Sequence, residues 1–322
     1  MSTYTIKKST ATKFVGLLFA IAYGFFIVGS LQWLNSVGGG DIGSYLFFFE
    51  DNKFQSTEFF LVNYSVRGDG AFRIGIIFLS NYFDAEIITV LSYLAFIMSS
   101  LIFCIYAVHI RSSKYLIYLL LLFLMIFFTP MVSNLFASGI RSGIAFTILM
   151  VSFLYFEGFW RYFLFVLATL IHTSMAPFIA LNVLFYTLEK IRIKSPFIIP
   201  LSLLLLSSLS IVMAASLFKF NVTPINSGYL FNVLILSLAL LMIFTNKKAI
   251  KNIYGFMSIG IIFIYLFGFI IDLSFSRYIG NAILFYLFFL IEKGELGTIQ
   301  VFTAGYIPFF ILVSFYAIFN TF

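Results

Sequence analysis

The chain has 322 residues, of which 62% are hydrophobic and 10% charged, and its formal net charge is +7. Soluble domains carry about 25% charged residues, so this composition excludes an ordinary water-soluble enzyme, and the apolar content excludes a disordered chain. The Lys and Arg residues fall in short gaps between apolar runs, where they read as topology signals and not as a nucleic-acid surface.

The first apolar run, Phe14–Trp33, follows Lys7, Lys8 and Lys13. It is too long for a signal-peptide core and reads as an uncleaved helix with a cytoplasmic N-terminus. Residues 34–86 form a long extracytoplasmic loop in this reading, with Gly38-Gly39-Gly40-Asp41, Glu50, Asp51, Glu58, Arg67, Asp69, Arg73 and Asp84. Loops of this length are usually functional or disordered, and the aromatic content argues against disorder. Within it, Ala71–Phe83 is expected to be a short amphipathic helix at the interface. Spanning segments follow at Ile87–Val108, Tyr115–Asn134 (kinked or ended by Pro130), Ile140–Trp160, Pro196–Phe218, Gly228–Thr245, Ile253–Ile271, Arg277–Ile291 and Ile299–Thr321. The expected fold is all-α: a polytopic integral membrane helical bundle of about 9 to 11 transmembrane segments, in a single domain over residues 1–322.

Residues 161–189 are too long for one untilted helix and too short for two full ones. The excess of Lys and Arg on cytoplasmic loops arbitrates. A single crossing puts 8 Lys/Arg inside and 11 outside; a segment that dips in and returns puts 13 inside and 6 outside. A broken or re-entrant pair is therefore expected around His172-Thr173-Ser174 and Pro177. Non-helical backbone at membrane depth persists only where protein or a water-filled cavity surrounds it, so the break predicts a cavity with His172 at its tip.

Arg141 and Arg277 each begin an apolar helix on the predicted outer side. Arg141 lies 16 residues from Glu157, Arg277 lies 15 from Glu292, and His172 lies 11 from Arg161. At ~1.5 Å rise per residue the three groups fall within about 8 Å in depth. An arginine near a helix end often snorkels to the interface, which is the bland reading of Arg277, and Asp272 is its natural ion-pair partner. A cation at a helix N-terminus nevertheless opposes the macrodipole. An anion bound by the arginine and the helix N–H groups reverses that sign, which points to a phosphate-like ligand. A histidine at an intramembrane helix break is likewise a functional candidate. The loop acids are solvated surface by default, with Asp41 singled out because the preceding glycines let backbone approach a ligand. Tyr45, Tyr64 and Tyr82 are candidate platforms for sugar rings. A lone cysteine, Cys104, and two histidines are too few for a disulfide or a zinc cluster.

The stretch Gly139-Ile140-Arg141-Ser142-Gly143-Ile144-Ala145-Phe146, followed after a cytoplasmic turn by Leu170-Ile171-His172-Thr173-Ser174-Met175, resembles the "I-R-x-G-x-A … I-H-x-S" signature of EpsG-like polysaccharide polymerases. These are Wzy-type proteins of O-antigen, capsule and exopolysaccharide assembly. Asp41 with Tyr45 resembles the family's first outer loop, and Ser276-Arg277-Tyr278 its late arginine helix. The signature covers about 35 residues, and the hydropathy pattern the whole chain. The family's Glu-Pro-Gly-Tyr-like outer-loop stretch has no clear counterpart; Gly70-Ala71-Phe72-Arg73 stands in that region.

The resemblance implies a GT-C-like membrane glycosyltransferase that joins undecaprenyl-diphosphate-linked repeat units on the outer face of the bacterial inner membrane. Its partners would be lipid-linked glycan donor and acceptor, membrane lipid, a chain-length regulator and a flippase, with no nucleic acid. Arg141 and Arg277 would then hold the departing diphosphate, and His172 would serve as base with Asp41 behind it. Arg67, Asp69, Arg73, Ser174, Asp272 and Tyr45 complete the expected substrate-binding set. No cofactor or metal is required, because the arginines supply the positive charge. Rival classes are a lipid-linked glycan flippase, expected to show internal pseudo-symmetry, an O-antigen ligase with the same Arg and His chemistry, and a membrane acyltransferase with a cytoplasmic donor entry.

Overall fold

The computed structural model describes residues 2–37, 40–52, 59, 70–111, 115–191, 236–238, 240–242, 249–270 and 277–320. The expected spans Pro196–Phe218 and most of Gly228–Thr245 lie outside them. Among the described residues there is no strand. The helices are α1 (Ser2–Ser36), α2 (Gly40–Asn52), α3 (Gly70–Phe83), α4 (Ile87–Arg111), α5 (Leu116–Phe128), α6 (Pro130–Ala137), α7 (Ile140–Tyr155), α8 (Gly158–Ile171), α9 (Ala176–Lys190), α10 (Ile253–Ile270), α11 (Arg277–Lys293) and α12 (Leu296–Asn320). Among the described residues three stretches, Gly16–Ser36, Ile87–Ile110 and Leu296–Phe315, are long and apolar enough to cross a membrane, and α5 with α6 makes a fourth if the bent pair is one span. Large side chains such as Phe25, Tyr93, Ile97, Val301 and Phe315 are exposed on these helices. So much exposed apolar surface fits lipid contact and not water, and the chain reads as a multi-pass membrane protein.

The helices group into two compact units, Met1–Arg111 with Ser133–Met175, and Ser112–Val132 with Ala176–Phe322. In the first unit, α1 and α4 are antiparallel neighbours. Gly16 faces Ala107, Gly24 faces Ser100, and the Gln32 side-chain amide donates to Ser92 Oγ at 2.9 Å. The paired numbers keep a nearly constant sum, as antiparallel helices require. Helix α2 packs on α1 and α4, α3 on α4 and α8, and α7 on α4 and α8. The region expected to be loop thus contains α2. Its buried Ile42, Tyr45 and Phe49 recur at helical spacing and give it an apolar face. The expected helix at Ala71–Phe83 is present as α3. It ends at Asp84, whose φ of 48° is left-handed, and the Ala85 N–H bonds back to the Ser80 carbonyl at 3.0 Å.

Helix α7 is the buried element of this unit: Ile140, Ser142 through Thr147, Leu149, Met150, Ser152 and Phe153 are all buried. It ends earlier than the expected Trp160. The chain extends at Phe156 and Glu157 and re-enters helix at Gly158, whose φ of 56° suits glycine.

In the second unit, α10 and α11 pair antiparallel. Ser258 Oγ donates to the Ala282 carbonyl at 2.7 Å and the Tyr254 and Phe288 rings meet at 4.7 Å. Every residue from Tyr278 to Leu290 is buried, so α11 is the central helix of its unit. Helix α9 packs on α10, and Phe178 lies 5.5 Å from Phe285 between ring centroids. Helices α11 and α12 both pack on α5, where Thr129 Oγ1 and Tyr306 Oη lie 2.9 Å apart. The expected kink at Pro130 is present as a 55° bend between α5 and α6. Proline cannot donate the N–H that would continue the helix, and Thr129 before it is extended (φ −66°, ψ 133°).

Candidate functional site

Arg141 is the second residue of α7. The chain reaches it through a tight turn after α6, in which the Ser138 and Gly139 N–H groups both donate to the Asn134 carbonyl, at 3.2 and 2.8 Å. Because α7 is buried within its unit, the snorkelling explanation is weak for Arg141: a lipid-side anchor needs a helix face on lipid. The side chain is half-buried. Its Nε–H donates to Tyr45 Oη at 2.7 Å, and its Cζ lies 4.9 Å from the centre of the Tyr45 ring. Tyr45 is itself buried and packs against Phe72 at 5.6 Å between ring centroids.

Arg73, on the first turn of α3, places its Cζ 3.9 Å from the centre of the Phe48 ring. Tyr45 and Phe48 stand three residues apart on α2, so they share a face. One face of α2 therefore carries two guanidinium groups, each against an aromatic ring, from segments far apart in sequence. Stacking on a ring face favours a cation electrostatically, and it leaves the planar fork suited to phosphate or carboxylate.

His172 ends α8. Its backbone is extended (φ −153°, ψ 112°), its N–H still donates to the Ala168 carbonyl at 2.9 Å, and its carbonyl accepts from the Met175 N–H at 3.0 Å. A 3-10 turn, Thr173–Met175, follows and contains the half-buried Ser174; α9 then begins. Pro177 lies in the first turn of α9, where a missing N–H costs nothing. The break expected from the sequence is thus present at His172.

The α7–α8 hairpin changes the depth arithmetic. His172 lies 14 residues beyond Gly158, and Arg141 lies 14 residues before Tyr155, so each stands about 21 Å from the turn. The expected offset between them disappears because α8 begins at Gly158 and not at Arg161, and α7 ends at Tyr155 and not at Glu157. The 3-10 turn after His172 packs against both α7 and α8. Arg141 and His172 therefore occupy the same end of the hairpin.

Arg277 opens α11 as expected, at the head of a helix that is buried from Tyr278 to Leu290. Its side chain and that of Asp41 lie outside the described residues, as do Arg67, Asp69 and Asp272 entirely. The aromatic partners Phe48 and Phe72 were not singled out by the sequence; the Tyr45/Phe48 spacing on one helix face was the available signal. Buried in the second unit, Asn182 and Asn281 carry side-chain atoms with no hydrogen-bond partner among the described residues, and nothing in their sequence context marks them. Among the described residues no group of three or more His, Cys, Asp or Glu is arranged to hold a metal ion. No family model, curated protein or solved structure matches the chain.

Proposed function

We propose that this chain is a GT-C-like, Wzy-type membrane polymerase that joins undecaprenyl-diphosphate-linked repeat units into O-antigen or a related surface polysaccharide. The observation that carries the reading is the pairing of Arg141, at the head of a buried helix, with His172, at a helix break level with it. The resemblance of the two segments to the EpsG-like signature supplies the reaction class. The remaining terms belong to the same proposal: about 9 to 11 membrane crossings, a bacterial inner-membrane location, a site facing outward, and working partners that include a flippase and a chain-length regulator.

In the reaction, the bond between the anomeric carbon of one unit and its diphosphate oxygen breaks. A glycosidic bond forms from that carbon to a hydroxyl of another unit. The donor is already activated by its leaving group, so two tasks remain for the protein. Negative charge grows on the departing lipid diphosphate, and Arg141, with Arg73 stacked one helical turn away on α2, stabilises it. The acceptor hydroxyl loses its proton, and His172 receives it. Asp41 is the reserve candidate for that proton. Arg277 is kept as a substrate contact on the sequence argument alone, with Arg67, Asp69, Asp272 and Ser174.

The test is the glycan profile of a strain lacking the protein. Single repeat units on the lipid A core are expected. Complete loss of repeat units would indicate a flippase, and long chains retained on undecaprenyl carrier would indicate a ligase; either result overturns the reading.

A further inference from the structure

We infer that Tyr45 is a positioning residue that orients the Arg141 guanidinium toward a diphosphate. The inference rests on the proposed function for the identity of the ligand, but its geometry is independent of that reading. Tyr45 was expected, if anything, to stack on a sugar. In the structure it is 7% exposed, and its ring and hydroxyl both address Arg141.

The arrangement constrains the arginine in two ways. The Nε–H···Oη bond of 2.7 Å fixes rotation about the end of the side chain. The ring 4.9 Å from Cζ limits where the guanidinium plane can lie. A guanidinium can meet a phosphate bidentately through Nε with one Nη, or through its two Nη atoms. With Nε committed to Tyr45, the Nε edge is withdrawn from a ligand, so the tyrosine restricts which edge of the guanidinium can be presented. The tyrosine is held in turn by Phe72, 5% exposed, at 5.6 Å. A side chain with five donors and four rotatable bonds is thereby ordered before ligand arrives, which lowers the entropy lost on binding.

The experiment is a double-mutant cycle on the purified full chain, with undecaprenyl diphosphate as probe in detergent micelles. Binding is measured for wild type, Tyr45→Phe, Arg141→Lys and the double variant, and polymerisation of lipid-linked repeat units is measured in parallel. Tyr45→Phe keeps the ring and removes the hydroxyl; about a tenfold loss of affinity is expected, as for one hydrogen bond to a charged group. If the tyrosine acts through Arg141, the double variant binds no more weakly than Arg141→Lys alone. Losses that multiply, or wild-type affinity in Tyr45→Phe, overturn the inference. Should Tyr45→Phe fail to fold, Tyr45→Leu replaces it, because it fills part of the same space and offers Nε no acceptor: a loss of affinity that vanishes in the Arg141→Lys background supports the positioning role, and wild-type affinity overturns it. A coupled loss of binding in a protein that does not polymerise leaves Tyr45 as the positioning residue and removes the polymerase reading. A wild-type protein that does not bind the diphosphate overturns the inference, while polymerisation is judged by its own assay.

Discussion

Arg141→Lys separates a diphosphate ligand from a charged anchor. Lysine retains the positive charge and the long apolar stem, so a snorkelling or topological role survives the change. It cannot reproduce the Nε–H···Oη bond of 2.7 Å to Tyr45 while also gripping two phosphate oxygens, since an ammonium is a single point charge. Loss of the tyrosine contact costs the folded protein about 1.5 kcal/mol as one part-buried hydrogen bond to a charged group, small enough for the variant to accumulate. Loss of one charge-assisted contact in the transition state costs about 3 kcal/mol, roughly a hundredfold in rate. Polymerisation should therefore collapse at near-normal protein level. The assay is chain length by gel in a deletion strain carrying the variant, with blotting to compare abundance. Wild-type chain lengths at wild-type abundance would refute the ligand assignment.

Other expectations rest on the geometry around α6 to α8 and, for topology, on the Lys and Arg balance of the loops. His172→Ala should severely lower polymerisation without removing the protein from the membrane, and normal chain lengths in His172→Phe would reduce His172 to a packing residue. At Gly143 an added Cβ would meet the Leu135 carbonyl oxygen at 2.7 Å and Phe136 Cδ1 at 2.7 Å; Gly143→Ala should cost ~1–3 kcal/mol from overpacking, seen as a lowered melting temperature, and should cut activity by shifting the start of α7. Unchanged melting would contradict the close approach of α6 and α7. In a Cys104→Ala background, a cysteine at Ser56 should react with an impermeant maleimide on intact spheroplasts and one at Ser195 should not; the reverse pattern would invert the topology.

The long apolar helices were legible because hydropathy alone specifies them, and so was the bend at Pro130. The break at His172 was legible from charge balance, with Pro177 marking the following turn. The end of α7 was not: Phe159 and Trp160 continue the apolar run past Gly158, so composition hid a turn that backbone geometry makes plain. Helix α2 was hidden by its flanks. Glu50, Asp51 and the glycines before Asp41 give a loop-like average, while Ile42, Tyr45 and Phe49 form a buried stripe. The link between Tyr45 and Arg141 joins positions 96 residues apart, and no local pattern encodes such a contact.

Elongation by the purified protein tests the central claim most directly. Reconstituted in proteoliposomes with undecaprenyl-diphosphate-linked repeat units, and with neither nucleotide nor divalent metal added, the protein should produce a ladder of progressively longer chains, and Arg141→Lys should leave mostly single units. A wild-type protein that leaves every unit unjoined under these conditions would contradict the account.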